Sequence, residues 1–341
     1  MTSPVPEGEP EAIARVQRAL EHIMEKRDAT SQPVLRGQHP KTHACVRAEL
    51  VVGDDVPTDL AKGIFAGPTT YRAWVRFSSS AIHPKPDYKR DAHGVALKVE
   101  NVDGFRARSS TYSSGQAQDF LFVDDPVFFC RDALEYADFA EIIARCHGGP
   151  QLRTAARVTA FFVGTNRHTS HLGGLIGLVR VISRKVDNPL DIRYWSQTPY
   201  MLGTRPVKYS LKPIPAAPVD GVANDEADRL AEAIARTLQS RDARFELQAQ
   251  RWIDERTTPV EDPTVRWDES ITPFVKVATL RIPSQDSEAP TRYDRADDLS
   301  FTPWHCLNVH RPLGGINRVR QAAYETSARL RAERSGTPLQ S

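Results

Sequence analysis

The 341-residue chain lacks most of the features from which a function is usually read. Its four cysteines, Cys45, Cys130, Cys146 and Cys306, show no C-x-x-C spacing. That excludes a disulfide framework or a zinc ribbon and reads as free thiols in a reducing compartment. Charge of one sign is not in excess: 45 basic and 43 acidic side chains leave a net charge of +2. No basic field points to nucleic acid and no acidic tail is present. Long hydrophobic runs are missing too. The longest, LGGLIGLVRVI from Leu172, is too short for a membrane span and contains Arg180. The opening MTSPVPEGEPE has no apolar segment of the kind a secretory signal needs. There is no G-x-S-x-G, no phosphate-binding G-x-x-x-x-G-K-[ST] and no H-E-x-x-H, and no internal repeat. A cytoplasmic protein with neither a nucleic-acid nor a membrane partner is expected.

What is present is patterning. An apolar fraction of 40% supports a substantial core, and 25 prolines imply many turns and extended connections. Ile13, Val16, Leu20 and Ile23 recur at helical spacing within residues 9–26. Period-two alternation follows in Val46, Ala48 and Leu50, in Tyr71, Ala73, Val75 and Phe77, and in Val95, Leu97 and Val99. It returns in Val207–Leu211, Phe245–Ala249 and Val275–Thr279. A helical stretch over residues 132–185 separates the two groups of strands. A second helix fits residues 225–240, with Leu230, Ile234 and Leu238 on one face. Gly173, Gly174 and Gly177 read as helix packing, and residues 283–298 as a loop. With no regular βαβ series, the pattern predicts an α+β protein built on an antiparallel sheet or barrel with helices packed outside it.

Three stretches could carry chemistry, and a fourth joins them. In RVRQAAYETSARLR, Arg320, Tyr324 and Arg331 fall within roughly 40° of one another on a helix, at about 100° per residue. A solvated basic face is the plain account of that stripe. LRGQHPKTHAC places Arg36, His39, His43 and Cys45 before a strand. A zinc set of His39, His43 and Cys45 lacks a fourth ligand, and two surface histidines in a loop is the simpler reading. In WVRFSSS, Arg76 and Ser78 share a strand face with Trp74, either toward solvent or toward a cleft where Arg76 would anchor an anion. QDFLFVDDPVFFCRDALEY concentrates aromatics, as a core or as a wall for a flat cofactor.

Taken together and in order, RGQHPKTHACVRAEL, GIFAGPTTYRAWVRFSS, RDAHGVALKV, QDFLFVDDPVFFCRD, VEDPTVRWDE and FTPWHCLNVHRPLGGINRVRQAAY resemble the catalase superfamily of haem proteins. The similarity is greatest to its short branch, the catalase-related haem peroxidases. The resemblance implies a catalase-like antiparallel β-barrel enclosing a haem pocket, with packed helices. It also implies residues 1–30 as an N-terminal helical arm and residues 31–341 as a single haem-binding domain. His39 then matches the distal histidine and Ser78 the serine that hydrogen-bonds it. Tyr324 matches the proximal ligand of the iron of haem b, with Arg320 holding its phenolate ionised. Arg36, Arg76 and Arg331 match propionate arginines, and Tyr136 takes the place of a haem-stacking phenylalanine. The physics agrees: a tyrosine titrating near pH 10 needs an adjacent cation and a metal to bind as phenolate.

The implied activity is a peroxidase reducing hydrogen peroxide or organic hydroperoxides through a ferryl intermediate, with a small-molecule peroxide and an electron donor as partners. Hydroperoxide isomerisation, as in allene-oxide-synthase-like relatives, or haem binding without turnover are the alternatives, and a homo-oligomer is compatible. The chain departs from catalases where they carry a distal asparagine: Val123 stands there, with Asp124 adjacent.

Overall fold

The computed structural model describes residues 5–28, 34–107, 116–164, 171–219, 222–223, 225–287 and 298–335. The expected boundary at residue 30 and most of the loop at 283–298 lie outside the described residues. Helix α1 (Glu9–Arg27) starts with Glu9, Pro10 and Glu11 and ends with Lys26 and Arg27, so proline and charge both suit the helix ends. Strands β1 (Lys41–Val52), β2 (Thr69–Ser79), β3 (His93–Val99) and β4 (Gln118–Val123) form an antiparallel meander. Helices α2 (Ala133–Cys146), α3 (Gln151–Val163) and α4 (Leu172–Ile182) follow, then β5 (Tyr194–Trp195), β6 (Tyr200–Leu202) and β7 (Arg205–Pro213). After α5 (Arg229–Ser240) come β8 (Ala243–Arg251), β9 (Phe274–Ile282) and the long C-terminal helix α6 (Gly315–Ser335).

The sheet order is β5-β4-β3-β2-β1-β9-β8-β7-β6, and β5 also pairs with β7. The two-residue β5 therefore closes an eight-stranded antiparallel barrel, with β6 appended to β7. Trp195 pairs with Val123 on one side and Ser210 on the other. Period two sends Val46, Val75, Leu97, Phe120, Tyr209 and Leu247 into the barrel, where they belong to one buried cluster.

The six strands read from alternation are found, as is the helical stretch between the two groups. β4, β5 and β6 are not foreshadowed by alternation: β4 is buried on both faces, and β5 and β6 are too short to show a period. The helix expected from residue 225 begins at Arg229. Among the described residues no helix is long and apolar enough to cross a membrane.

The outer barrel face on β2 is not solvated. Trp74, Arg76 and Ser78 are all buried, because the segment before β1 and residues 299–301 lie over that side. α1 packs on α2 and α6 through Ala12, Val16, Ala133, Ala137 and Val319. The 299–307 segment is pinned by a buried ion pair. Lys98 on β3 donates to both oxygens of Asp119 on β4 (2.9 and 3.1 Å). The same carboxylate meets His305 Nδ1 at 2.9 Å and accepts from the Thr302 amide at 3.0 Å, while the Asp119 amide donates to the His305 carbonyl at 2.7 Å. Burial alone would raise the Asp119 pKa; Lys98 and His305 outweigh it and hold it below the usual carboxylate range.

Removing one partner of such a pair leaves a buried uncompensated charge. Lys98→Met is expected to destabilise the fold by about 3–5 kcal/mol, read as a shift of the urea midpoint. Lys98→Met combined with Asp119→Asn should recover part of that loss. A single variant within 1 kcal/mol of the parent, to order of magnitude, would remove the pair from its anchoring role.

Candidate functional site

His39 sits in the turn before β1 with φ 52°, a left-handed conformation that is strained for a residue with a β-carbon. The strain is held from the barrel side. Arg76 on β2 donates to the His39 carbonyl at 2.7 Å and to Thr42 Oγ1 at 2.7 and 3.1 Å. The imidazole lies against Gly94 of β3: a β-carbon at that position would come within 2.6 Å of His39 Cε1 and 2.7 Å of Nδ1. This close approach is why the R-D-x-x-G stretch needs its glycine. His39 Nδ1 is 3.3 Å from Ser78 Oγ, which donates in turn to the Gly94 carbonyl at 3.4 Å. With that donation made, Ser78 accepts from Nδ1–H, and the lone pair is left on Nε2. Burial, followed by the charge of Arg76, lowers the His39 pKa to about 4, so the ring is a neutral base near pH 7.

The two histidines of the H-P-K-T-H stretch are separated by strand geometry. Ser78 and Ser79 point to opposite faces of β2. His39 is bonded to the first; His43 Nε2 is 2.8 Å from the second, Ser79 Oγ. His43 is not a surface loop residue. It is the extra residue of a bulge in β1 between Thr42 and Ala44, and it is buried. Among the described residues no three His, Cys, Asp or Glu side chains converge as a metal site.

The cross-strand register decides between Val123 and Asp124. Thr42 pairs with Ser78, Ser78 with Gly94, and Gly94 with Val123. Directly paired residues share a face, so Val123 lies on the His39 side of the sheet. Asp124 is fully buried and committed elsewhere: it meets His93 Nδ1 at 3.0 Å and accepts from the His93 amide at 3.2 Å.

A small cleft lies between the segment carrying Arg36 and Gln38 and helix α6. It is lined by Arg36, Gln38, Phe301, Tyr324 and Arg331 among others. Arg36 donates to the Leu299 carbonyl at 2.7 Å and lies 5.7 Å from the Phe301 ring centre. Tyr324 is half-buried, and the Arg320 guanidinium lies 5.8 Å from its ring centre. Arg320 is itself tethered by Thr198 Oγ1 (3.1 Å), Tyr200 OH (3.3 Å) and Asn317 Oδ1 (3.1 Å). Burial opposes its charge, but Tyr200 and Tyr324 outweigh burial and raise its pKa. The charge of Arg320 also reaches His39 and helps keep that ring neutral.

Tyr136 on α2 accepts from Gln38 Nε2 at 2.9 Å, and burial pushes its pKa up to about 12. It joins an aromatic row, with Phe128 at 5.5 Å and Phe139 at 6.3 Å.

All eight residues singled out from the sequence thus surround one region: Arg36, His39, Arg76 and Ser78 on the barrel side, Arg320, Tyr324 and Arg331 on α6, and Tyr136 on α2. Sequence reading missed Gln38, Thr42, Thr198, Tyr200 and Asn317, which orient them. Of these only Asn317, one turn before Arg320, carried a local signal. The donor set suits a flat group bearing two carboxylates: Arg36 and Arg331 line the cleft from its two sides beside Leu20 and Phe301, and the phenol of Tyr324, backed by Arg320, would serve as a single protein ligand.

No protein-family model and no curated protein matches the sequence. Solved structures do match. A bacterial catalase superposes with TM-score 0.64 at 18% identity over 92% of this chain and 60% of that one. A fungal catalase gives 0.67 at 17% over 91% and 61%, and catalase A from Saccharomyces cerevisiae 0.66 at 16% over 90% and 62%. The fold is therefore the catalase fold, in a chain spanning about three-fifths of the length of these structures.

Gly94→Ala is expected to lift the imidazole off β3. Because burial is the main cause of its low pKa, the His39 pKa should climb from about 4 toward the ordinary 6.5, as followed by NMR titration of the ring protons. An unmoved titration would show that the ring does not rest on Gly94.

Proposed function

We propose that this chain, with its catalase fold, is a haem-dependent peroxidase that reduces hydrogen peroxide or an organic hydroperoxide at the expense of an external donor. One observation supports it above the others: a neutral imidazole, His39, fixed by Ser78 and Gly94, lies within electrostatic reach of a half-buried arginine, Arg320, that backs the phenol of Tyr324. A haem-binding protein without turnover has no need of the first element.

In this reading Tyr324 would hold the haem iron and Arg320 would keep its oxygen anionic, while Arg36, Arg76 and Arg331 would offset the propionates. Tyr136 forms part of the wall. Haem b, when bound, supplies the electron-transfer chemistry that breaks the O–O bond. The chain's own residues do the rest. His39 Nε2 takes the proton from the near oxygen of the peroxide and returns it to the far oxygen, which leaves as water or alcohol. Ser78 holds the ring in the tautomer this needs. The strained turn and Arg76 fix the distance, so little reorganisation is needed.

Val123 bears on which reductant is used. Its side chain shares the face of His39 and cannot donate a hydrogen bond to a second hydrogen peroxide. Orientation of that small molecule therefore suffers most, and an organic donor is favoured over oxygen release.

In haem-reconstituted protein, His39→Ala should retain the absorption spectrum and lose about 10²–10⁴ in the rate with peroxide. Tyr324→Phe should lose haem or the phenolate bands. The parent rate should stay flat from neutral pH downward and fall to half near pH 4, where His39 becomes protonated. A half-point near 6.5, or a His39→Ala rate equal to the parent's, would assign the base elsewhere. Val123→Asn should raise oxygen release relative to dye oxidation several-fold, since one hydrogen bond contributes about 1 kcal/mol. Brisk oxygen release by the parent would show that Val123 does not limit the reaction.

A further inference from the structure

Helices α3 and α4 are apolar on the wrong side. α4 buries Gly174, Gly177 and Val181, and a β-carbon on Gly174 would come within 2.5 Å of the Phe129 carbonyl, so that face is already packed against the body. On the opposite side Leu172 (58% exposed), Ile176 (64%) and Val179 (49%) fall within roughly 60° of one another. A helix apolar all round is normally buried all round. Its neighbour α3 buries Val158, Phe161 and Phe162 and presents Leu152 (83%), Ala156, Thr159 and Val163 (51%) along one outward stripe. Arg153 and Arg157, both exposed, flank that stripe. α4 is fixed in this orientation by Arg180, whose guanidinium donates to both oxygens of buried Asp125 at 2.7 and 2.8 Å.

The charge around these stripes identifies what they suit. From Ile142 to Val186 the sequence has no Asp or Glu, against seven Lys and Arg in a chain that is nearly neutral overall. Arg145 pairs with Glu141, and Arg180 and Arg184 with Asp125, while Arg153 and Arg157 beside the stripe have no carboxylate of this stretch near them. Two copies meeting through this face would bring arginine against arginine. An acidic surface with an apolar layer beneath it is the complementary partner. Outward aliphatic side chains beside arginines match the chemistry of helices that lie in the headgroup region of a bilayer.

We propose that α3 and α4 form a docking surface for an anionic lipid bilayer, on which the protein lies without crossing it. No membrane span is required, so the surface is invisible to a search for long apolar segments.

The full chain is tested by flotation with vesicles of phosphatidylcholine alone and of phosphatidylcholine containing phosphatidylglycerol. Flotation with the anionic vesicles only, weakened by salt, is expected. Ile176→Asp should abolish it. The double variant Arg153→Ala, Arg157→Ala should weaken it on the order of 30-fold, at about 1 kcal/mol per cation near an anionic surface. Circular dichroism and the thermal midpoint of both variants should match the parent, since every substituted side chain is exposed. The proposal is overturned if the parent stays with the unbound fraction, or if neutral vesicles capture it equally well. Concentration-dependent self-association that Ile176→Asp removes, without vesicle binding, would assign the surface to a second copy and overturn it too.

Discussion

The buried contact of Lys98 with Asp119 sets the geometry of everything above the barrel. Two adjacent strands place the charges on the outer face, where a solvated pair would contribute little. Residues 299–307 cover them, and the carboxylate then accepts from the lysine, from His305 and from the Thr302 amide. With its lone pairs filled, Asp119 is a fixed point rather than a burden. The chain leaving it runs directly into α6, so Tyr324, Arg320 and Arg331 arrive over the same face that carries Ser78 and Gly94. Phe301 in that segment meets both Lys98 and Arg36, which links the anchor to the cleft wall.

The site that results is an imbalance of charge among buried and half-buried side chains. Arg36 and Arg331 line the cleft with no carboxylate beside them, and Arg76 and Arg320 act on His39 next to it. Such a field has two effects. It keeps His39 unprotonated, adding to burial in lowering its pKa. It also favours any group that brings negative charge, whether a phenolate or a carboxylate. The surrounding tethers serve to stop the cations from turning away: Thr198, Tyr200 and Asn317 for Arg320, Thr42 for Arg76, Leu299 for Arg36. Rigid placement on strands and a long helix suits chemistry that depends on distance.

α2 connects this interior to the periphery. Asp132 caps it by accepting from the Glu135 amide, and Glu135 reaches back to the Arg131 amide at 2.6 Å. The helix carries Tyr136 at the cleft and Phe139 one turn on, where Phe139 packs with Phe161 and Phe162 of α3. The same rings thus form the floor of the outward helical pair and the flank of the site.

Local chemistry was enough to determine much of this. Alternation fixed the six longer strands, because each has one face in the barrel and one against polar or mixed surroundings. Helical spacing fixed α1, α5 and the Arg320–Tyr324–Arg331 stripe, since residues on one turn remain neighbours whatever the rest of the chain does. β4, β5 and β6 left no periodic trace: one is buried on both sides and the others are too short. The sequence could not tell solvent from cleft beside Arg76 and Ser78, because strand alternation names a face but not what covers it. Nor could it separate His39 from His43 by type, or Val123 from Asp124 by position. Those choices turned on which side of β2 and β4 each side chain meets, through contacts between residues 31 to 39 positions apart in the chain. Long-range pairing decides them, and only the closed barrel brings those partners together.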